Sequence, residues 1–148
     1  MTALLSILSK HGALILHLLI AFFAPISGII LLVGLSTILD TCFGLWRAYK
    51  KGHKITSRKA RFGLVPKILS YCGAVCLIYA SDYYMINDLT KMAVSVEFLS
   101  TKLLALVLIA IEVKSMDESF QDVKGWSFID RITDLVIKAK NIKKNYEN

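Results

Sequence analysis

The chain has 148 residues, of which 55% are hydrophobic, and its mean hydropathy of +0.58 is high for a soluble domain of this size. This length excludes a multi-domain enzyme. The net charge is +7, but eight of the 18 basic residues lie in one segment between apolar runs. Membrane orientation accounts for that segment, so we expect no nucleic-acid partner.

A long apolar run forms the first predicted element. Residues 12–39 contain no Asp, Glu, Lys or Arg, and the run continues past Asp40. As one helix, the run from residue 12 to residue 46 would be about 50 Å long, against a hydrocarbon core of about 30 Å. Pro25 marks a break, so we predict a helical hairpin with spans at residues 4–24 and 26–46. A single tilted or kinked helix is the alternative, and a cleaved signal peptide is not expected.

A purely basic segment follows this run. Residues 47–67 carry eight Lys or Arg residues and no acid. Lys and Arg are retained on the cytoplasmic side of a membrane, so we predict a basic cytoplasmic loop. Its basic residues are Arg47, Lys50, Lys51, Lys54, Arg58, Lys59, Arg61 and Lys67.

Two further spans are predicted after the basic loop. The third covers residues 64–79 or 64–84 and ends in clustered tyrosines, which are typical of a membrane interface. The fourth covers residues 92–113 and is interrupted by Glu97 and Lys102. Charges inside a span cost about 2.5 to 3.5 kcal/mol each on insertion scales. We therefore expect Glu97 near the outer interface and Lys102 snorkelling or paired in the bundle, with pore-lining roles as the alternative.

The predicted fold is an all-α integral membrane protein of about four spans, with both termini in the cytoplasm. Residues 1–113 form the transmembrane domain and residues 114–148 a cytoplasmic tail. After Gly125, apolar residues recur at helical spacing and predict an amphipathic helix at about residues 127–140. Its apolar face must be buried against the membrane surface, a sister subunit or a partner. The apolar residues are Phe128, Ile129, Ile132, Leu135 and Val136.

The candidate functional residues are polar groups within the spans and small residues suited to helix contact. Asp40 needs a cation, and Arg47 with the rest of the basic loop is the nearest source. A salt bridge and a place at a subunit interface or lesion both stay open for Asp40. Gly28, Gly34 and Gly73 are predicted helix-packing points. The predicted intramembrane polar or assembly residues are Asp40, Gly44, Glu97, Lys102 and Glu112.

No pattern of catalytic or metal-binding residues stands out in the sequence. His11, His17 and His53 have no metal-ligand spacing. Cys72 and Cys76 lack further ligands nearby and are interpreted as small packing residues. We therefore predict that the protein is not an enzyme and binds no cofactor or metal.

Three short segments resemble the phage lysis and toxin-secretion holin family, which includes the clostridial toxin-secretion holins. In that family an Asp-x-x-x-Gly at the end of a span leads into a basic loop with a Ser-x-x-x-x-x-Gly-Leu-x-x-Lys pattern. A Glu-x-x-Ser-x-x-Glu-Asn element then precedes the soluble tail. The matching residues are Asp40, Gly44, Ser57, Gly63, Leu64, Lys67, Glu112, Ser115 and Glu118, with Ser119 in place of the final Asn. The tail from residue 125 to 139 resembles the family's amphipathic C-terminal helix.

The resemblance implies a holin, which acts without catalysis. Such a protein self-associates in the bacterial cytoplasmic membrane and opens lesions that let a cytoplasmic endolysin or toxin reach the cell wall. The implied partners are the lipid bilayer, further copies of the chain, and the released endolysin or toxin. Two alternatives from other classes stay open. One is a small membrane scaffold or anchor that docks a cytosolic partner through its C-terminal helix, and the other is a narrow channel subunit.

Overall fold

The computed structural model describes residues 2–86, 88 and 96–146, and this part of the chain contains helices and no strand. The predicted all-α fold class is confirmed to that extent. The elements are α1 (Thr2–Phe23), a 3₁₀ turn (Ala24–Ile26), α2 (Ser27–Lys50), α3 (Ser57–Ser81), a π-helical turn (Asp82–Ile86), α4 (Leu99–Lys124) and α5 (Phe128–Tyr146).

Among the described residues, two helical segments are long and apolar enough to cross a membrane. They are His11–Lys50, which joins α1 and α2, and Arg61–Ile86, which joins α3 and the π-helical turn. Only 11% of the most apolar stretch of each is buried inside the protein. The core helix of a soluble protein would have most of its apolar residues buried, so these helices present apolar side chains to their surroundings.

The predicted hairpin between the first two spans is wrong, and the chain has the alternative, a single interrupted helix. Pro25 lies in the first turn of the 3₁₀ segment, where its missing N–H is tolerated. The backbone on either side stays right-handed, with φ −89° at Phe23 and −55° at Ser27. Residues 11–21 are exposed throughout, whereas a hairpin would bury one face of them against α2.

Helices α2, α3 and α4 form a three-helix bundle. The connection from α2 to α3 spans only residues 51–56, so these two helices are antiparallel neighbours. Asp40 of α2 lies level with Glu112 of α4, and Lys51, directly after α2, lies level with Asp122 further along α4. Helices α2 and α4 therefore run in the same direction.

The buried apolar core lies at the end of the bundle away from the basic connection. Tyr79 is its largest member, and its hydroxyl donates a 2.9 Å hydrogen bond to the carbonyl oxygen of Phe22. The rings of Phe22 and Phe98 pack against Tyr79 at 5.2 and 5.0 Å between centroids. This aromatic cluster anchors the end of α1 to the bundle. The buried core residues are Ile26, Val33, Val75, Tyr79, Ala105 and Leu108.

The fourth predicted span is displaced along the chain. Helix α4 begins at Leu99 and runs without a break to Lys124, so the predicted domain boundary after residue 113 falls inside a helix. Residues 92–95 of that prediction lie outside the described residues. The chain breaks instead at Gly125, whose φ of +76° is a left-handed conformation that glycine adopts without strain.

The predicted amphipathic helix begins where the sequence places it. The Ser127 hydroxyl accepts a 3.0 Å hydrogen bond from the N–H of Asp130, three residues into the first turn. Helix α5 then continues to Tyr146, six residues beyond the predicted end.

Candidate functional site

The most unusual polar feature of the bundle is an ion cluster that joins α2, α3 and α4. The Lys67 Nζ donates a 2.8 Å hydrogen bond to Asp40 Oδ2 and a 2.7 Å hydrogen bond to Glu112 Oε2. Each of the three helices supplies one charged side chain. One ammonium group thereby holds the three helices at the same level.

The cluster is buried unevenly. The Glu112 side chain is fully buried, whereas 12% of the Asp40 side chain and 30% of the Lys67 side chain are exposed. Two carboxylates share one cation, so the cluster formally carries one negative charge in excess. Glu112 Oε1 is also buried and has no hydrogen-bond partner among the described residues. Such an arrangement is costly in a low-dielectric environment and is uncommon without a role.

A cavity of about 370 Å³ opens beside the ion cluster. Gly44 lies one turn after Asp40 on α2, and Gly63 lies one turn before Lys67 on α3, so two side chains are missing from its wall. A Cβ atom built at either glycine meets no described atom within 4 Å. The lining residues are Asp40, Thr41, Gly44, Leu45, Arg47, Gly63, Lys67 and Ser115.

A second ion pair ties α2 to α4 nearer the basic connection. The Lys51 Nζ lies 2.7 Å from Asp122 Oδ2, and Arg47 reaches the same oxygen at 3.5 Å. The hydrogen bond and the positive charge of Lys51 lower the pKa of the Asp122 carboxyl from its ordinary value. All three side chains are more than two-fifths exposed, so solvent screens the pair and it contributes little to stability.

The cation that neutralises Asp40 is therefore Lys67. Arg47, the nearest cation in sequence, lines the cavity but pairs with Asp122. Asp40 is paired with a cation of the segment 47–67, but Lys67 lies within α3, so the predicted loop over residues 47–67 is wrong in its bounds. Only residues 51–56 connect α2 and α3, so Arg47 and Lys50 end α2, and the basic residues from Arg58 onward belong to α3.

The remaining predicted polar residues lie away from this cluster. Glu97 is in the turn before α4, and Lys102 is exposed in the first turn of that helix. Neither side chain therefore lies in the interior of the bundle, and both residues are at its aromatic end. Asp82 at this end is buried, and its Oδ2 accepts hydrogen bonds from the N–H and hydroxyl of Thr101 at 2.8 and 2.7 Å.

The predicted packing glycines have open space at the position of a Cβ atom. A Cβ atom at Gly28, Gly34 or Gly73 meets no described atom within 4 Å. Within one chain, the described atoms leave open space at these positions. Contacts between copies of the chain stay a prediction.

Asp117 is a functional position that the sequence pattern did not single out. Its Oδ1 accepts hydrogen bonds from the N–H groups of Phe128 and Ile129 at 2.7 and 3.3 Å, and its Oδ2 accepts one from the Ser127 hydroxyl at 2.6 Å. The buried carboxylate of α4 therefore caps the N-terminus of α5 and fixes where that helix leaves the bundle. An acid ten residues before a capping serine is a weak sequence signal, and only the glycine turn brings the two together.

No site for a metal ion is found among the described residues, where Cys42, Cys72 and Cys76 are free thiols. Comparison of the chain with protein-family models, with curated proteins and with solved structures gives no match.

Proposed function

We propose that this protein is a holin, which oligomerises in the bacterial cytoplasmic membrane and opens lesions for a cytoplasmic endolysin or toxin. One observation carries the proposal. The three segments that resemble the holin family are far apart in sequence, yet Asp40, Lys67 and Glu112, one from each, form a single ion cluster. Chance matches in three separate segments would not be expected to meet at one buried site.

The proposed membrane placement follows from the order of features along the bundle. Helices α2, α3 and α4 would cross the bilayer together, because Lys67 ties all three at one depth. The basic connection at residues 51–56 would face the cytoplasm, and the tyrosine-rich end the opposite side. Three crossing helices place the C-terminus in the cytoplasm. They place the start of α2 on the outer side, so the C-terminal end of α1 lies there as well.

Helix α1 supports an assembly function, because its described side chains are exposed from residue 11 to residue 21. Residues 11–21 are exposed and apolar apart from His11 and His17, and a helix that is apolar on all sides is normally buried in protein or lipid. The joined segment His11–Lys50 has 40 residues, or about 60 Å of helix, which is twice the thickness of the hydrocarbon core. A bend at the 3₁₀ turn would keep α1 in lipid or against another copy.

A lesion would require many copies, since one three-helix bundle encloses no wide channel. The cavity beside Asp40 presents polar groups at a depth where lipid cannot satisfy them. Contact with another copy, or with water in an open lesion, removes that penalty. The ion cluster thus provides a driving force for association that apolar helix faces alone do not supply in lipid.

The proposal is tested by expressing the chain together with a cytoplasmic endolysin and following culture density. A holin is expected to produce an abrupt fall in density after a delay, with the endolysin found outside the membrane. The Asp40→Asn variant should insert normally and shift the time of lysis, because it removes one of the two charges that Lys67 balances. Wild-type timing of this variant at equal protein level would remove Asp40 from the mechanism.

The alternatives give different results in the same experiment. A narrow channel subunit would lower membrane potential without releasing the endolysin. A scaffold would release nothing, and its tail would be protected from protease only when its cytosolic partner is present. The exposed apolar face of α5 is the observation that favours the scaffold, which would dock its partner through this helix.

A further inference from the structure

Between residues 131 and 142, the apolar face of α5 is not covered by any part of the chain that the structure describes. Residues 131–142 are all exposed, and the side chains of Ile132, Leu135 and Ile142 are 57%, 65% and 58% accessible. With about 100° per residue these side chains share one stripe of the helix. An exposed stripe of this kind on a helix requires a partner.

The charges of α5 between residues 130 and 140 lie around that stripe and not within it. On the same helical wheel, Arg131 and Lys138 flank the stripe on one side and Lys140 flanks it on the other. The acidic residues Asp130 and Asp134 lie on the opposite face. Long cationic side chains at the border of an apolar face can extend to lipid phosphates while the apolar residues enter the acyl region. The acids then point away from the membrane.

The start of α5 is fixed close to the polar end of the bundle. Asp117 and Ser127 cap the helix, and Asp122, between them in sequence, is bonded to Lys51 of the connection between α2 and α3. Just before the helix, Trp126 lies under the Arg131 guanidinium, 3.9 Å from the ring centroid. Tryptophan beside a cation is typical of the membrane interface.

We propose that α5 lies on the anionic surface of the membrane leaflet that adjoins the basic connection. The sequence of α5 contains five basic and two acidic residues, and its net charge of +3 complements phosphatidylglycerol or another anionic lipid. The bonds from Asp117 of α4 to the start of α5 keep the helix next to this surface. The effective concentration of the membrane near α5 is therefore high compared with that of a soluble partner. The inference rests on the membrane placement in the proposed function and not on lesion formation.

The test uses the full chain in lipid vesicles and compares two faces of α5. In a background with Cys42, Cys72 and Cys76 replaced by serine, Leu135→Cys or Asn141→Cys is labelled with an environment-sensitive fluorophore. Vesicles contain phosphatidylcholine alone or mixed with phosphatidylglycerol, and nitroxide lipids serve as quenchers. The label at position 135 should shift to the blue and be quenched in the anionic vesicles. The label at position 141, on the polar face, should stay unquenched.

Charge variants separate lipid docking from other contacts. Lys138→Gln and Lys140→Gln should each shift the equilibrium about fivefold toward the undocked helix, and added salt should act in the same direction. Lys102→Gln, at the other end of the bundle, should leave the quenching unchanged and controls for total charge.

Three results would overturn the inference. Equal quenching at positions 135 and 141 in inserted protein would show that α5 does not lie on the surface in this orientation. Absence of quenching at both positions would show that it does not dock on lipid. Burial of position 135 that follows the protein-to-lipid ratio, and not the lipid charge, would assign the face to a second copy. Failure of the chain to insert, measured by flotation, would instead refute the membrane placement and the proposed function together.

Discussion

The Lys67→Met substitution perturbs the ion cluster most directly. Lys67 is the only described cation within hydrogen-bond distance of Asp40 and Glu112, at 2.8 and 2.7 Å. Methionine keeps most of the length of the side chain and removes the charge. The two carboxylates are then left facing each other between three helices, with Glu112 fully buried.

The magnitude of the effect follows from the burial of the three groups. Removal of one partner from a buried ion pair destabilises a protein by about 3 to 5 kcal/mol. Because 30% of the Lys67 side chain is exposed, water reaches part of the cluster, and we expect a loss near the lower end, about 3 kcal/mol. In this background, Asp40→Asn with Glu112→Gln removes both unbalanced charges. At least half of the loss, about 1.5 kcal/mol, should return.

Unfolding in mixed micelles of mild detergent and dodecyl sulfate, followed by the fluorescence of Trp46 and Trp126, measures these differences. Lys102→Met is the matched control, because Lys102 is exposed at the far end of α4 and its loss should change stability by less than about 0.5 kcal/mol. If Lys67→Met behaves like Lys102→Met, the cluster does not hold the three helices together. If the neutralised triple variant is no more stable than Lys67→Met, the loss arises from packing and not from charge.

Three further predictions concern topology, the cap of α5 and the glycines. A reporter inserted after Lys59 should be cytoplasmic and one near residue 87 external, whereas a reporter at the N-terminus should be external for the single interrupted helix and cytoplasmic for a hairpin. Asp117→Ala should destabilise the start of α5 by about 1 kcal/mol and increase proteolysis after Gly125 without changing membrane insertion; unchanged proteolysis would show that the cap does not position the helix. Gly28→Leu and Gly73→Leu should leave the folded chain intact, since no described atom lies within 4 Å of either Cβ position, but should weaken crosslinked oligomers; wild-type crosslinking of both variants would exclude these positions from contacts between copies.

The local parts of the structure could be predicted from the sequence. The helical spacing of apolar residues predicts a helix from about residue 127, and in the structure α5 begins at Phe128, after the capping residue Ser127. The break at Gly125 needs a left-handed backbone, which is a property of the residue itself. The need of Asp40 for a cation also follows from local chemistry alone.

The non-local parts required the arrangement of the helices. Arg47 is near Asp40 in sequence and is therefore the first candidate partner. It lies further along α2, closer to the basic connection, and pairs with Asp122 instead. Asp40 and Lys67 lie almost equally far in sequence from His53 in the connection. In an antiparallel helix pair they are therefore at the same level, so the sequence contained enough information to predict this contact. Glu112 gave no such signal, because its depth depends on where α4 begins.

The prediction of a hairpin at Pro25 is wrong for a different reason. A proline between two apolar runs favours a turn, but the first turn of a helix tolerates it without reversing the chain. The sequence pattern is the same in both cases. The right-handed backbone around the 3₁₀ turn and the exposure of residues 11–21 distinguish the interrupted helix from a hairpin.

The central claim is that this chain alone opens lesions wide enough for a folded enzyme. The most direct measurement is leakage from vesicles that contain the purified protein together with two trapped markers, a small dye and a dextran of the size of a globular enzyme. We predict that both markers leave together once the protein exceeds a threshold density, and that Lys67→Met changes this threshold. Release of the dye alone at every density would contradict the claim and identify a narrow channel, and retention of both markers by fully inserted protein would show that the chain makes no lesion.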